Sequence, residues 1–339
     1  MNPIEWVEQG LVPDIIARAG MRRLIRSRLQ APESVDQERR SEAFARFLGE
    51  LRASPIAVNT ADANVQHYEV PAAFFHRHLG PCLKYSCCLY PTGRESLAEA
   101  EQQMLALYAE RAGLKDGMRI MDLGCGWGSL SLWLAARYPG SEIVGLSNSH
   151  GQREFIMGQA AERGLKNLNI ITGDVVTFDY PAEGIAGGFD RVMSIEMFEH
   201  MKNYGLLLNK ISRWLRPEGK LFVHIFAHKL LAYHYEVQDE NDWMTQYFFL
   251  GGTMPSEHLF ARQWWVSGRH YEKTSNHWLA GMDAARDQIM PIFEQAYGGP
   301  KQARIWFNRW RMFYMAVAEF FGLDGGNEWG VGHYLFEKR

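Results

Sequence analysis

At 339 residues the chain is long enough to bury a large core and longer than a typical compact domain, so one enlarged domain or two intimate units are both open. It is 47% hydrophobic with a formal net charge of -3, which gives no electrostatic reason to expect nucleic acid, and no window approaches the roughly 20 continuous apolar residues of a membrane span. The N-terminus lacks the basic-then-apolar pattern of a secretory leader, and Cys82, Cys87, Cys88 and Cys125 lack metal-finger spacing, so a cytoplasmic protein with reduced thiols is expected.

Residues 1 to about 60 alternate apolar and charged positions at helical spacing, Ile15, Ile16, Ala19 and Leu24 against Arg18, Arg22, Arg23, Arg26 and Arg28, which predicts a helical extension. The arginine stripe reads as a solvated helix face, with a membrane surface or an acidic partner as alternatives. From about 106 the rhythm is regular: strand 118–123, helix from 128, strand 142–147, helix from 151, strands 168–172 and 189–194, a helix after 199 and strand 219–226. Apolar strands alternating with amphipathic helices predict an α/β, doubly wound, largely parallel sheet whose ligands bind at the carboxyl ends of its strands. After Ala227 the rhythm stops. A polar and aromatic insertion over 229 to about 262 precedes a strand at 263–268, helices near 275–295 and 301–321, and a last strand near 331–337. The expected organisation is a helical extension (1–105), a cofactor-binding core (106–228), a substrate-covering insertion (229–262) and a C-terminal completion of sheet and pocket (263–339).

The most informative stretch is Ile120-Met-Asp-Leu-Gly-Cys-Gly-Trp-Gly-Ser-Leu130, where an apolar strand ends in a glycine-spaced turn and a helix begins at once. Gly124, Gly126 and Gly128 allow a sharp turn and close approach to a ligand. The spacing is not the Gly-x-Gly-x-x-Gly of dinucleotide folds, and no Lys-Ser/Thr follows as in a phosphate loop, so a polyphosphate cofactor is not expected. The run, Asp122 included, resembles the glycine-rich motif of class I S-adenosylmethionine-dependent methyltransferases. Sheets of this kind commonly end their second strand in an acid that holds the ribose. Here that strand ends in Ser147, Asn148, Ser149, His150, Gly151 and Gln152, so Ser147, Asn148 and Gln152 are the ribose candidates. Asp174 and Val175 follow the third strand where adenine is usually gripped, although an acid there also serves as a turn or helix cap.

The fourth strand runs into Ser194-Ile-Glu196-Met-Phe-Glu199-His200. If a helical turn starts here, Glu196, Glu199 and His200 share one face at the mouth of the sheet. Two carboxylates and an imidazole there suit proton removal, because repulsion and burial raise carboxyl pKa values toward the working pH. The bland alternative is an acidic helix start with a half-buried histidine.

Phe198-Glu-His200, His67-Tyr68, Tyr85-Ser-Cys87, Ser147 with Gln152, and Gly268-Arg-His-Tyr271 with Thr274 and Trp278 together resemble the cyclopropane-fatty-acid synthase and mycolic acid methyltransferase superfamily. Within it the chain is more similar to the coclaurine N-methyltransferase branch, which methylates benzylisoquinoline alkaloids, through Asn64–Glu69, Leu83–Cys88, Ser194–Gly205, Phe222–His228, Tyr233–Trp243 and Gly251–Pro255. The resemblance implies a class I fold with a mostly parallel seven-stranded sheet and S-adenosyl-L-methionine as cofactor. It places Tyr85 and Ser86 at the methionine end, Gly124 and Gly126 beneath it, and Gln152 on the ribose. It makes Glu196, Glu199 and His200 the acid-base cluster. Lipid-modifying members hold a bicarbonate among a Cys, a Glu, a His and a Tyr; Cys87, Glu199 and His224 match three of these. Met312 or Phe313 stands where the Tyr belongs, unless the alignment slips and Tyr314 serves, and Glu319 lies nearby as in the alkaloid enzymes. A phenol lost and a carboxylate gained favour a cationic amine.

The expected reaction is in-line methyl transfer to a small aromatic amine after Glu199 or His200 removes its proton, with Glu196 and Glu319 holding the cation. Trp243, Tyr247, Phe248, Trp264, Trp265, Trp306 and Trp329 are candidates for the pocket walls through cation–π contacts, with core packing as the plainer role. The runner-up is methyl or methylene transfer to unsaturated phospholipid acyl chains, and a third reading is a catalytically silent scaffold. No metal is expected, because methyl transfer needs none and the 12 histidines show no ligand spacing. A homodimer stays open.

Overall fold

Among the described residues seven strands form one sheet in the order β3-β2-β1-β4-β5-β9-β8. They are β1 (Arg119–Leu123), β2 (Glu142–Ser147), β3 (Leu168–Thr172), β4 (Phe189–Ile195), β5 (Leu215–His228), β8 (Gln263–Ser267) and β9 (Trp329–Glu337); β6 (Tyr233–His234) and β7 (Thr253–Met254) pair separately. The computed structural model describes residues 3–58, 70–180, 188–237, 242–260 and 263–338. The motif residues His67 and Tyr68, with 64–66, 69 and 238–241 of the quoted segments, lie outside these.

Strands β1 to β5 run parallel, and β9 is antiparallel to both of its neighbours. β1 is buried in four of its five residues, as expected of a central strand covered on both faces. Its neighbours β2 and β4 lead the chain in opposite directions, and such a reversal opens a crevice at the carboxyl ends. The glycine turn after Leu123 and the turn after Ile195 both emerge there. Helix Leu97–Ala112 lies under this crevice, started by a capping box between Ser96 and Glu99 and stopped by Gly113 in the left-handed conformation. The segment expected as one helix near 275–295 is two, Gly268–Ala284 and Arg286–Tyr297. The first starts directly after β8 because the Ser267 side chain caps it, accepting from the Arg269 N–H.

The N-terminal helices dock on the long helix Pro300–Gly322. Glu8 pairs with Arg309 at 2.8 Å, Asp14 with Arg311 at 2.6 Å, and Arg18 and Arg22 both grip Glu319, at 3.0 and 2.6 Å. The arginine stripe is therefore not wholly a solvated face. Two of its members are spent inside the molecule, on the carboxylate expected to hold a substrate cation. Among the described residues no helix is long and apolar enough to cross a membrane.

Candidate active site

Gly124, Gly126 and Gly128 all have positive φ, 83°, 52° and 81°. A Cβ on Gly124 would stand 2.7 Å from Met197 Cγ and one on Gly128 2.7 Å from Ile156 Cγ1, whereas one on Gly126 would meet nothing within 4 Å. Protein fills the space beside the outer two glycines, and the middle one faces an open cleft. Tyr85, Ser86, Asp122, Gly124, Gly126 and Gln152 line this cleft together with Glu196, Glu199 and His200. Past the glycines it continues into a hollow lined by Ser147, Asn148, Asp174 and Val175. All ten residues expected at the cofactor thus lie along one continuous groove.

The groove fits a nucleoside without phosphates. Ser147 donates to Gln152 Oε1 at 2.7 Å, which leaves the buried Gln152 amide nitrogen with no acceptor in the protein and free to donate to a ribose oxygen. No lysine or arginine lines the hollow among the described residues. Two expected contacts are partly spent within the fold. Asp122 accepts from Ser131 Oγ at 2.6 Å, and burial pushes its carboxyl up to about 6. Asp174 Oδ1 accepts from the Val176 N–H at 2.8 Å, a turn of the kind a short acid forms.

The helical turn expected at Glu196 does not form. Its N–H is held by the His224 carbonyl at 2.9 Å, prolonging the β4–β5 ladder, and its φ is +46°, so only Phe198–His200 make a short 3₁₀ turn. A left-handed conformation at a residue other than glycine costs roughly 1–2 kcal/mol and is tolerated where surrounding contacts fix it. Here they do. Glu196 Oε1 lies 3.0 Å from both the Cys87 backbone nitrogen and His224 Nε2, and Oε2 accepts from the Tyr271 hydroxyl at 2.6 Å. Glu199 is buried and its Oε2 has no partner. Burial raises both carboxyls, and Glu199 rises well above the ordinary range through burial first and repulsion by the Glu196 charge second. Of the two, Glu199 is the one whose protonated form the site favours more. The buried Lys84 ammonium, 2.5 Å from Ser86 Oγ and 2.8 Å from the Cys87 carbonyl, stands by as counter-charge.

The residues expected to touch substrate are mostly elsewhere. Cys87 and His224 sit behind Glu196 and do not line the cavity. None of Trp243, Tyr247, Phe248, Trp264, Trp265, Trp306 and Trp329 lines it. Trp243 donates to Glu8 at 3.1 Å, Phe248 stacks on Phe313 at 4.2 Å, the Trp265 ring lies over Gly330, and Trp329 is buried against Phe320 at 4.2 Å. Glu319 is held by the two arginines. The walls are instead Phe226, Tyr235, Phe249, Trp278, Phe313 and the Phe320–Phe321 pair. Tyr314 is turned away, 2.7 Å from His78 Nε2. Lys84 and Tyr271 were not singled out as site residues from the sequence. Tyr271 and Trp278, seven apart in one helix, carried the signal of a shared face.

Residues 57–321 match the family described as Mycolic acid cyclopropane synthetase. The chain belongs to this family. Like it, the chain is an S-adenosylmethionine-dependent methyltransferase. (S)-Coclaurine N-methyltransferase of Thalictrum flavum subsp. glaucum is 39% identical over 99% of this chain and 95% of its own length, and pavine N-methyltransferase of the same plant is 36% identical over 100% and 97%. The crystal structure of a coclaurine N-methyltransferase bound to N-methylheliamine and SAH superposes with a TM-score of 0.93 at 37% identity, covering 98% of each chain. The sequence resemblance thus extends through the fold of this mycolic acid cyclopropane synthetase family member.

Proposed function

We propose that the chain N-methylates a small aromatic amine of the benzylisoquinoline type. The observation that carries this reading is the part-buried Glu196 with the buried Glu199 beside the glycine turn, under a roof of aromatic rings. Three donors favour the charged form of Glu196, while burial and the Glu196 charge disfavour that of Glu199, which suits the pair to one ammonium. Arrival of that cation offsets the repulsion that raises Glu199, so Glu199 can give up its proton to solvent and then take the ammonium proton, or His200 takes it directly, and the nitrogen lone pair is freed. S-adenosylmethionine, when bound, supplies an electrophilic sulfonium methyl. The walls orient a flat ring and exclude water, and holding two reactants at near-attack distance is worth on the order of 7–11 kcal/mol at best. The Trp278 Nε1–H, buried without an acceptor, suits a phenol or ether oxygen on that ring.

The lipid alternative needs the donor set that, by resemblance, holds bicarbonate. In this chain the Glu196 carboxylate already occupies the Cys87 N–H and the His224 nitrogen. The division into arm, core, covering insertion and completion belongs to this proposal, as do a cytoplasmic setting, in keeping with four free thiols, and a homodimer covering the exposed Trp6, Leu11, Ile15, Ile16 and Leu24. Sedimentation equilibrium reads the assembly state directly.

The deciding experiment measures S-adenosylhomocysteine release and product mass with benzylisoquinolines, simple arylethylamines and unsaturated phospholipid vesicles. Methylated benzylisoquinoline is the expected product. Turnover confined to the vesicles overturns the proposal.

A further inference from the structure

Behind Glu196 a row of side chains crosses the sheet. His224 on β5 and His333 on β9 are directly paired across the strands, with His224 Nδ1 2.8 Å from His333 Nε2. Arg111, half-buried on helix Leu97–Ala112, reaches His333 Nδ1 with Nη1 at 2.5 Å, and its guanidinium lies over the Trp264 ring at 5.2 Å. A guanidinium has donors and no acceptor. His333 Nδ1 must therefore be the lone pair, His333 Nε2 carries the proton and donates to His224 Nδ1, and His224 Nε2–H donates to Glu196 Oε1. Tyr108, 3.0 Å from the same Nδ1, can then only donate. Glu196 receives the backbone N–H of Cys87, the imidazole N–H and the Tyr271 hydroxyl, three donors on a group that accepts only when ionised.

We propose that Arg111 and His333 are positioning residues of the reaction: Arg111 sets the tautomers of both histidines and thereby holds Glu196 as the fixed anion of the site. The row is not a proton exit. Glu196 cannot pass a proton to a nitrogen that already bears one, and the far end is a guanidinium that cannot accept it. The amine's proton is consequently taken on the cavity side, by Glu199 or His200, and passes from there to solvent, because the methylated ammonium has no lone pair left to accept it. This divides the two carboxylates between holding the cation and moving the proton, and it rests on the N-methyltransferase reading for its chemistry. Both imidazoles are held neutral by burial, and by the nearby Lys84 and Arg111 charges. Facing the row are also Glu110 beside Arg111, Lys84 over the Tyr108 ring, Cys87, and Glu199 and His200 across Glu196.

The test is ¹⁵N NMR of the full-length protein labelled at histidine, with assignment by His224→Gln and His333→Gln. His224 and His333 are expected as neutral Nε2–H tautomers throughout the neutral range, whatever the substrate proves to be. In Arg111→Met the tautomers should become mixed, and the acid limb of kcat/KM should move up by about one pH unit, a tenfold loss on that limb, as Glu196 loses an enforced donor. Arg111→Lys, still only a donor, should keep the wild-type tautomers and limb. A proton on Nδ1 of either histidine in the wild type overturns the proposal, as does an Arg111→Met variant with unchanged tautomers and limb. If no amine is methylated, the function proposed above fails, while the tautomers still report on the row.

Discussion

Replacing Glu199 by glutamine removes the carboxyl whose ionisation this fold most disfavours. Its Oε2 has no partner, and burial and the Glu196 charge both raise its pKa. In the unfolded chain the same group titrates at about 4.3. Between that value and the raised native one, the folded protein holds a proton that the unfolded chain has lost. Stability therefore falls as pH rises through this window, by about 1.4 kcal/mol per pH unit, and the loss is complete above the native pKa. Glutamine stays neutral, so the Glu199 contribution to the slope should vanish whatever constant cost its amide adds. Across two units the difference is about 3 kcal/mol, or about 3–6 °C in Tm for a chain of this length. The assay is thermal unfolding of the ligand-free protein at steps from about pH 5 to 8, wild type beside Glu199→Gln, with Asp122 titrating equally in both. Wild type should lose Tm relative to the variant as pH rises. Parallel curves would refute the claim that this site favours the protonated form of Glu199.

Exchanging Glu199 and His200 together, for glutamine and asparagine, should abolish turnover while leaving the S-adenosylhomocysteine Kd within about a factor of two, about 0.4 kcal/mol, by titration calorimetry. Gly126→Ala places a methyl in open cleft at φ +52°; it should cost about 1–2 kcal/mol of stability and weaken cofactor binding at least about tenfold, so unchanged affinity would mean the cleft lies elsewhere. Depleting bicarbonate should leave amine turnover unaltered, and a bicarbonate requirement would mean that Glu196 does not fill that donor set. Glu319→Gln should leave the KM for amine unchanged while loosening the arm by about 1 kcal/mol, read as faster proteolysis within the first 30 or so residues.

The order of strands and helices was legible because the apolar periods alternate cleanly from 106 onward, and the glycine turn announced the ligand end of the sheet. Most groove residues could be named for a local reason: Gly124, Gly126, Ser147, Asn148, Asp174 and Val175 lie at or just past the carboxyl end of a strand, and a parallel sheet brings those ends together, whereas Tyr85 and Ser86 precede the first strand and were named through the resemblance. What the sequence concealed was side-chain direction in the C-terminal third. Trp243 and Trp329 look like pocket walls until their packing is seen, while Phe313 and Phe321, in the same run of aromatics, are the ones that face inward. Glu319 illustrates the limit most plainly. Its charge suits a cationic substrate, and only the fold shows Arg18 and Arg22, some 300 positions earlier in the chain, already neutralising it. The left-handed Glu196 likewise follows from strand pairing with His224, a contact between segments that no local pattern encodes.

Helix Pro300–Gly322 presents Phe313, Val317, Phe320 and Phe321 to the cavity and Arg309, Arg311 and Glu319 to the arm. One rigid beam therefore has a substrate side and an anchoring side. Breeding this enzyme toward bulkier substrates need not begin among the aromatic rings, where each exchange also disturbs the chemistry. Varying Glu8 and Asp14, whose partners Arg309 and Arg311 lie within about one turn of Phe313, acts on the beam from outside, making the first 15 or so residues a tuning handle that a truncated expression form or a bulky N-terminal fusion would throw away.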